Sequence, residues 1–377
     1  MGDFGRLHGA FPFVRWGAVI RWAPAAVWIE RGLEGTTLAA NVRRHYPDTP
    51  VHPFEPPLAL RAGDFSAGKR ELVIQRHRGS FLQHCPAGTA GLVCCNYLVV
   101  NLGANCPFDC SYCFLQEYLA TSPGLRLFAN VEDALAEVDD VLRRHPQRRF
   151  RIGTGELIDS LALDHLTEHT RVLVPFFAAR PNAVLELKTK SSAIEGLLRQ
   201  EPSDNVVVSW SLNAPSVIRE EEPGTASLEE RLEAARALQS AGFRVGFHFD
   251  PLIALPDWEA AYREAVEALA SRIDPRRVAW VSLGHLRLTS GLKRAMKERR
   301  RGAALLVGEL VPGADGKHRA WRALRLQMYR TMLRWLADWH PELPRYICME
   351  PPGVWEHVFG EVPSDQEVAM RLVGRPA

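Results

Sequence analysis

The chain has 377 residues, of which 46% are hydrophobic and 24% charged, a composition that is typical of a folded globular protein and excludes a disordered or fibrous one. The formal net charge of +2 excludes a molecule-wide field that would attract polyanions, so any binding of nucleic acid has to be local. No stretch approaches the roughly 20 consecutive apolar residues of a membrane span, and we expect none.

The first 90 residues contain many proline, arginine and tryptophan residues and show no clear hydrophobic periodicity. We interpret residues 1–90 as an N-terminal extension that packs on the domain that follows. Residues 91–285 are predicted to form the main α/β domain. Residues 286–377 are predicted to form a C-terminal segment of helix and strand that closes this domain.

From residue 96 onward, short apolar runs alternate with helix-like segments, which is the pattern of a parallel sheet built from βα units. The predicted strands are 97–102, 149–153, 184–188, 206–212, 244–249 and 277–283. The predicted helices are 131–142, 161–178, 192–199, 228–241 and 258–272. Six such units predict a partial (β/α)6 barrel of the TIM type, with a further strand near residues 344–352 closing its open side.

Polar or glycine-containing segments stand at the ends of four predicted strands. They are Gly153-Thr154-Gly155-Glu156, Lys188-Thr189-Lys190, Ser211-Leu212-Asn213 and Asp250-Pro251. Because the chemistry of a parallel barrel gathers at the carboxyl ends of its strands, we expect these segments to face one mouth. A turn or a helix cap explains any one of them alone, so their shared position is the stronger observation.

The strongest signal is a C-x3-C-x2-C run formed by Cys106, Cys110 and Cys113, with Tyr112 directly before the third cysteine. Thiolates at this spacing can hold three irons of a [4Fe–4S] cluster from one short loop. Three protein ligands leave the fourth iron open to a substrate or cofactor. The run therefore predicts a cluster that takes part in chemistry.

The other cysteines leave alternatives open. They are Cys85, Cys94, Cys95 and Cys348, and they form no second C-x2-C pair. A structural zinc site usually needs such a second pair, so zinc is the less favoured occupant of the loop. Disulfides are a further alternative, but the odd number of cysteines and the lack of a recognisable signal peptide favour a reducing cytoplasm.

A basic stretch covers residues 293–301 and is followed by Lys317, Arg319, Arg322 and Arg325. Such a stretch can follow the phosphate backbone of a nucleic acid. It can equally be the solvated face of a helix, which we favour slightly because no aromatic residues for base stacking are interleaved with its first part.

The cysteine run with Tyr112 resembles the signature of radical S-adenosylmethionine (SAM) enzymes, whose fold is a partial barrel of the predicted kind. The resemblance implies a [4Fe–4S] cluster on the three cysteines and SAM on its open iron, with cleavage of SAM to a 5′-deoxyadenosyl radical that abstracts hydrogen. It also implies the residues that contact SAM. These are Tyr112, Gly153, Gly155 and Glu156 in motifs like those of the superfamily, Lys190 at the SAM carboxylate, Ser211 and Asn213 at its polar groups, and Asp250 and Pro251 at its adenine.

More narrowly, residues 72 to about 336 are similar to spore photoproduct lyases. The likeness is carried, in order, by the cysteine loop and by the segments 159–167, 187–190, 211–213, 222–225, 231–235 and 246–251. The resemblance implies a lyase acting on a DNA lesion and an electron donor such as flavodoxin or ferredoxin. A nucleoside, a peptide or another small molecule is the alternative substrate.

One departure from that family concerns Glu156, which stands where spore photoproduct lyases typically carry the cysteine that returns a hydrogen atom to the thymine radical. A carboxylate exchanges protons and cannot donate a hydrogen atom. Cys348 or Tyr346 could take this role, although Cys348 is also explained as a buried structural cysteine. The rival hypothesis for the whole chain is a non-catalytic iron–sulfur or zinc protein that uses the cysteine loop as a structural clip or sensor.

Overall fold

The computed structural model describes residues 22–58, 60, 65–86, 88–89, 91–299, 301–302 and 304–374. Residues 1–21 of the predicted N-terminal extension and Arg300 of the basic stretch lie outside these ranges. The strands are β1 (Ala26–Glu30), β2 (Val51–Phe54), β3 (Glu71–Gln75), β4 (Leu82–His84), β5 (Leu98–Val100), β6 (Gly103–Ala104), β7 (Leu125–Phe128), β8 (Phe150–Gly153), β9 (Ala183–Thr189), β10 (Val206–Ser211), β11 (Arg244–Leu252), β12 (Val278–His285), β13 (Leu310–Pro312), β14 (His318–Ala320) and β15 (Arg345–Ile347).

The helices lie between and after these strands. They are α1 (Thr37–His45), α2 (Phe65–Gly68), α3 (Leu115–Tyr118), α4 (Val131–Arg144), α5 (Asp164–Thr167), α6 (His169–Ala178), α7 (Pro215–Glu221), α8 (Leu228–Ser240), α9 (Trp258–Arg272), α10 (Ser290–Glu298), α11 (Arg322–Trp339), α12 (Pro352–Phe359) and α13 (Asp365–Val373). Among the helices that are described, none combines the length and the apolar character needed to cross a bilayer.

The larger sheet has the strand order β15-β12-β11-β10-β9-β8-β5-β4. All neighbouring pairs are parallel except β4 and β5. Strands β10 and β12 are buried along their whole length, as expected for parallel strands that are covered on both faces. The sheet curls into a half-barrel, which confirms the predicted partial barrel.

The open side of the half-barrel is narrowed by the C-terminal segment. Strand β15 adds to the edge of β12 in parallel register, with Ile347 opposite Leu283. Beyond β15, an antiparallel bridge joins Glu350 to Val93, which precedes β5 near the other edge of the sheet. The buried Glu350 carboxylate also binds Arg325 of α11 at 3.0 Å, so helix, strand and bridge close the barrel together.

Two predicted helices differ from the structure. The segment 161–178 is two helices, α5 and α6, because Glu168 between them adopts a left-handed conformation with φ of 51°. Asp164 accepts hydrogen bonds from the backbone N–H and the hydroxyl of Thr170, at 2.9 and 2.6 Å, and so satisfies the start of α6. The segment 192–199 contains only a short 3-10 turn, Leu197–Arg199.

A second sheet forms on the N-terminal side, with the order β2-β1-β3-β7-β6. Its strands β1, β2, β3 and β7 are parallel, and they enclose a core of their own with α1 and α5. Strand β7 comes from residues 125–128, after the cysteine loop, and pairs with β6, which precedes the loop, so the segment with the cysteines connects two strands of this second sheet. The division of the chain at residues 90 and 285 stays a prediction.

Candidate active site

The predicted site segments meet at the carboxyl end of the half-barrel. The cysteine loop follows β6, Glu156 follows β8, Lys190 follows β9, and Asp250 lies near the end of β11. Two adjoining cavities open between them, with volumes of about 270 and 490 Å³. Both are lined by Phe114, Glu156, Lys188, Asp250 and Arg287, so they share a wall.

The smaller cavity contains most of the predicted cofactor residues. The side chains or backbones that line it include Cys106, Cys110, Tyr112, Cys113, Gly155, Glu156, Lys190, Ser211, Asp250 and Pro251. Two predicted residues, Gly153 and Asn213, do not line it. A Cβ atom at Gly153 would collide with the Tyr97 hydroxyl inside the barrel, and the Asn213 side chain binds Pro251, Ala214 and Tyr262.

The three loop cysteines are unpaired thiols on one wall of the smaller cavity. Burial raises the pKa of Cys110 to about 12 and raises the pKa of Cys106 and of Cys113. Within the described ranges, no three His, Cys, Asp or Glu side chains are grouped as they would be around a single metal ion.

Asp109, inside the loop, holds it in place. Its carboxylate binds Lys69 at 3.3 Å, Arg299 at 2.9 Å and Arg301 at 2.7 Å. Burial alone would raise the pKa of Asp109, but Lys69, Ser66 and Arg299 bring it down to about 2. Arg299 and Arg301 therefore contact the loop, Arg299 with 14% and Arg301 with 40% of its side chain exposed. The two interpretations of the basic stretch, phosphate binding and a solvated face, stay predictions.

A buried ionic network stands behind Tyr112. Its hydroxyl donates a short hydrogen bond to Glu222, which also binds Lys190 at 2.7 Å and Arg231 at 2.6 Å. Burial alone would raise the pKa of Glu222, but Lys190 and Arg231 bring it down to about 2. Arg231 further donates to the backbone oxygen of Ser211 at 2.8 Å. The network thus fixes three predicted cofactor residues relative to one another.

Asp159 connects the loop after β8 to the loop after β9. It accepts hydrogen bonds from the Thr189 hydroxyl and from the backbone N–H of Lys190, both at 2.7 Å. It also accepts from the N–H groups of Leu161 and Ala162. Sequence reasoning assigned no role to Asp159, Glu222 or Arg231, although all three lie in the segments that carried the family resemblance.

Glu156 stands at the wall between the two cavities and forms an ion pair with Lys188 at 3.2 Å. The backbone next to it is crowded, because a Cβ atom at Gly155 would lie 2.6 Å from the Lys188 carbonyl oxygen. Only glycine lets β8 and β9 approach this closely.

The larger cavity reaches into the barrel and has a charged wall. There Arg151 binds Glu186 at 2.7 Å, and His248 binds the other oxygen of Glu186 at 2.7 Å. Burial alone would raise the pKa of Glu186, but Arg151 and His248 hold it well below the usual range. The Arg151 guanidinium also lies against the rings of Tyr97, Trp280 and Tyr346. Cys85, Cys95 and Cys348 line the same cavity.

A partial parallel barrel with a three-cysteine loop at its carboxyl mouth defines the class of this protein as the radical SAM type. The family model described as spore photoproduct lyase matches residues 93–309. The chain therefore belongs to the spore photoproduct lyase family.

Curated relatives agree with this assignment. The chain is 29% identical over 203 residues to the spore photoproduct lyase of a Geobacillus species and 28% identical over 201 residues to that of Bacillus subtilis. Each alignment covers 53% of this chain and 59% of the relative, so the chain matches less than two thirds of those proteins.

Solved structures share the fold. A spore photoproduct lyase variant with bound AdoMet and dinucleoside spore photoproduct superposes with a TM-score of 0.74 at 21% identity, covering 86% of this chain and 98% of that one. A spore photoproduct lyase complexed with dinucleoside spore photoproduct gives the same TM-score and covers 99% of its chain.

Proposed function

We propose that this protein is a radical SAM enzyme that holds a [4Fe–4S] cluster on Cys106, Cys110 and Cys113. The observation that carries the proposal is the pair of adjoining cavities, one lined by three unpaired thiols and the other large enough for a substrate. The donor set fits, because thiolates are the usual ligands of such clusters. A cluster with SAM supplies reductive cleavage of SAM, which yields a strongly hydrogen-abstracting species.

The residues of the smaller cavity would bind and orient SAM. Gly155 lets the backbone approach the cofactor closely, and the Glu156 carboxylate suits an ammonium group. Lys190 suits a carboxylate, and its pairing with Glu222 at 2.7 Å holds it in position. Ser211 and the Asp250-Pro251 backbone complete the wall and would contact the ribose and the adenine.

The larger cavity would hold the substrate. Its volume of about 490 Å³ lies within the roughly 300–1,000 Å³ of ordinary ligand sites. Lys188 and Arg287 in its wall are paired with Glu156 and Asp250, and Lys317 adds a further cation, which suits a substrate with a phosphate. Since its relatives are spore photoproduct lyases, two of them solved with dinucleoside spore photoproduct, we propose a thymine photoproduct in DNA as the substrate class.

The reaction needs one electron at a time from outside, and we propose a flavodoxin or a ferredoxin as the donor. We propose the cytoplasm as the compartment. Among the described residues, no disulfide is formed by Cys94, Cys95, Cys106, Cys110, Cys113 or Cys348, which is typical of reducing compartments.

The test is anaerobic reconstitution with iron and sulfide, followed by reduction with dithionite in the presence of SAM. Release of 5′-deoxyadenosine, measured by chromatography, supports the enzyme. SAM that stays intact under strong reductant contradicts it and favours the rival hypothesis of a structural clip or sensor. Protein that contains zinc instead of iron, even after expression in zinc-depleted medium, would also favour the structural clip or sensor.

A further inference from the structure

The larger cavity has the character of a ligand site beyond its size. Tyr97 is only 6% exposed and lines this cavity, yet its hydroxyl has no hydrogen-bond partner among the residues that the structure describes. A buried hydroxyl without a partner is costly. This oxygen lies against Gly153 and is itself covered, so a molecule in the cavity would contact the ring of Tyr97. This observation is independent of the cysteines on the same wall.

Those cysteines lie close together beside the bridge between Val93 and Glu350, and all three also line one small pocket of about 20 Å³. Cys95 precedes β5, and the backbone N–H of Cys85 binds the Tyr97 oxygen, also before β5, so both lie at the amino end of that strand. Cys348 directly follows β15, and its N–H binds the Leu283 oxygen near the end of β12 at 2.8 Å. Because β15 and β12 are parallel, Cys348 lies on the same rim as the cysteine loop.

A chain of contacts links Cys348 to the wall of the cofactor cavity. Arg287 donates to the Cys348 backbone oxygen at 3.1 Å and to the Asp250 carboxylate at 3.2 Å. Arg287 and Asp250 line both cavities, while Cys348 lines the larger one. The backbone of Cys348 is thus tied to the wall that the two cavities share.

We propose that Cys348 is the residue that returns a hydrogen atom to the substrate radical in the larger cavity. The inference rests on the proposed function. It names a thiol that can donate the hydrogen atom that the Glu156 carboxylate cannot donate. It places the donor on the rim strand β15, across the cavity from the loop after β8. Tyr346 is less suited, because its hydroxyl is held by Arg151 at 2.9 Å.

In the proposed step, the S–H bond of Cys348 breaks and a C–H bond of the substrate forms, so that the unpaired electron passes from carbon to sulfur. One electron from the low-potential donor and one proton from solvent then restore the thiol. Burial raises the pKa of Cys348 well above its ordinary value, which keeps the sulfur in the protonated form that can donate a hydrogen atom.

A first experiment uses the full chain without cluster or SAM. The rate of alkylation of Cys348 by iodoacetamide is followed by peptide mass spectrometry, with and without dinucleoside spore photoproduct as the probe. We expect the probe to slow alkylation of Cys348 about fivefold or more, as a ligand at about four times its Kd would. Cys94, which does not line the larger cavity, should react at an unchanged rate. Equal rates at Cys348 with and without probe would overturn the placement.

A second experiment uses the reconstituted, reduced enzyme with SAM and the same probe in D2O. Cys348→Ala and Cys348→Ser are compared with Cys94→Ala, a matched loss of a nearby cysteine that does not line the larger cavity. We expect all three variants to release 5′-deoxyadenosine. Repaired product should fall about a hundredfold in both Cys348 variants and stay within about threefold of wild type in Cys94→Ala. The wild-type product should carry deuterium from the exchanged thiol.

The outcomes separate the two proposals. Cys348 variants that bind the probe like wild type and still form product at the wild-type rate would overturn the role of Cys348, as would loss of product in Cys94→Ala alone. A wild-type enzyme that cleaves SAM but leaves the probe unrepaired would overturn this inference and leave SAM cleavage standing. A wild-type protein that releases no 5′-deoxyadenosine would overturn the proposed function itself, while the alkylation experiment would still decide whether the probe lies against Cys348.

Discussion

Glu156 and Lys188 form an ion pair of 3.2 Å at the wall between the two cavities. Both side chains are largely buried, with 16% and 26% of their surfaces exposed, so each charge depends on the other or on a ligand. A ligand ammonium group at Glu156 would share the carboxylate with Lys188. The pair therefore lies where cofactor binding and substrate binding meet.

From this follows a prediction for SAM affinity. Glu156→Gln should leave the cluster intact and weaken SAM binding about tenfold, the loss of roughly one charge-assisted hydrogen bond. Equilibrium titration of the reconstituted protein with SAM measures this. Glu229→Gln, at an exposed glutamate, serves as the control and should bind SAM like wild type. An unchanged affinity in Glu156→Gln would show that this carboxylate does not contact SAM.

Cys110→Ala should abolish both the brown colour of the reconstituted protein and the cleavage of SAM, because the loop then offers two thiolates instead of three. Iron content and absorbance near the visible shoulder of the cluster are the measurements. Cys94→Ala removes a cysteine outside the loop and should keep a full complement of iron. If the two variants retained equal iron, the loop would not be the cluster site.

Gly155→Ala should distort the approach of β8 to β9, because the new Cβ would lie 2.6 Å from the Lys188 carbonyl oxygen. We expect a loss of about 1–3 kcal/mol in the free energy of unfolding, as for other overpacked sites, together with weaker SAM binding. Gly35→Ala, where a Cβ would meet no atom within 4 Å, should change stability by no more than about 0.5 kcal/mol. Chemical denaturation of both variants makes the comparison.

Arg151→Met should be strongly destabilising, since it leaves the Glu186 carboxylate buried without its guanidinium partner. Breaking a buried pair from one side costs about 3–5 kcal/mol, and the remaining bond to His248 lessens the loss without removing it. Arg276→Met breaks an exposed pair with Asp274 and should cost far less stability, because water screens such pairs. Similar losses of unfolding free energy in the two variants would mean that the Glu186 network does not contribute to stability as its burial indicates.

The Glu222 network predicts a stability that depends on pH. The pKa of Glu222 is about 2 in the folded chain against an ordinary 4.5, so folding favours the ionised form. Its contribution is complete above the ordinary pKa and is lost as the pH falls from about 4.5 towards 2.

The measurement is urea denaturation of the cofactor-free protein at about pH 6 and about pH 3.5, for wild type and Glu222→Gln. The variant should be the less stable at the higher pH, and the difference between the two proteins should shrink at the lower pH. If wild type and Glu222→Gln differed in stability by the same amount at both pH values, Glu222 would not be the group that titrates.

Local signals were reliable where the structure depends on neighbours in the chain. The parallel strands of the barrel were predicted because each is a short apolar run, and α8 because its pattern is helix-like and Gly242 follows it. The structure agrees, with a capping box of Ser227 and Glu230 and a φ of 96° at Gly242. The break at Glu168 was missed, since the cap that ends α5 and starts α6 depends on Asp164 and not on a glycine or proline.

The N-terminal sheet was missed for a different reason. Its strands have only four or five residues, β2 is mostly exposed and contains Pro53, and a run this short carries little periodicity. Its last parallel strand, β7, is contributed by residues beyond the cysteine loop, which no local pattern indicates.

That three thiols share one short loop soon after the first parallel strand of the barrel follows from the sequence alone, because the spacing and the βα alternation are local properties of the chain. What surrounds the loop follows only from the way distant segments pack. Asp109 meets Arg299 across 190 residues, and Cys348 reaches the rim because β15 pairs with β12. Contacts between distant segments depend on how elements pack, and packing is a property of the whole chain that no single stretch encodes.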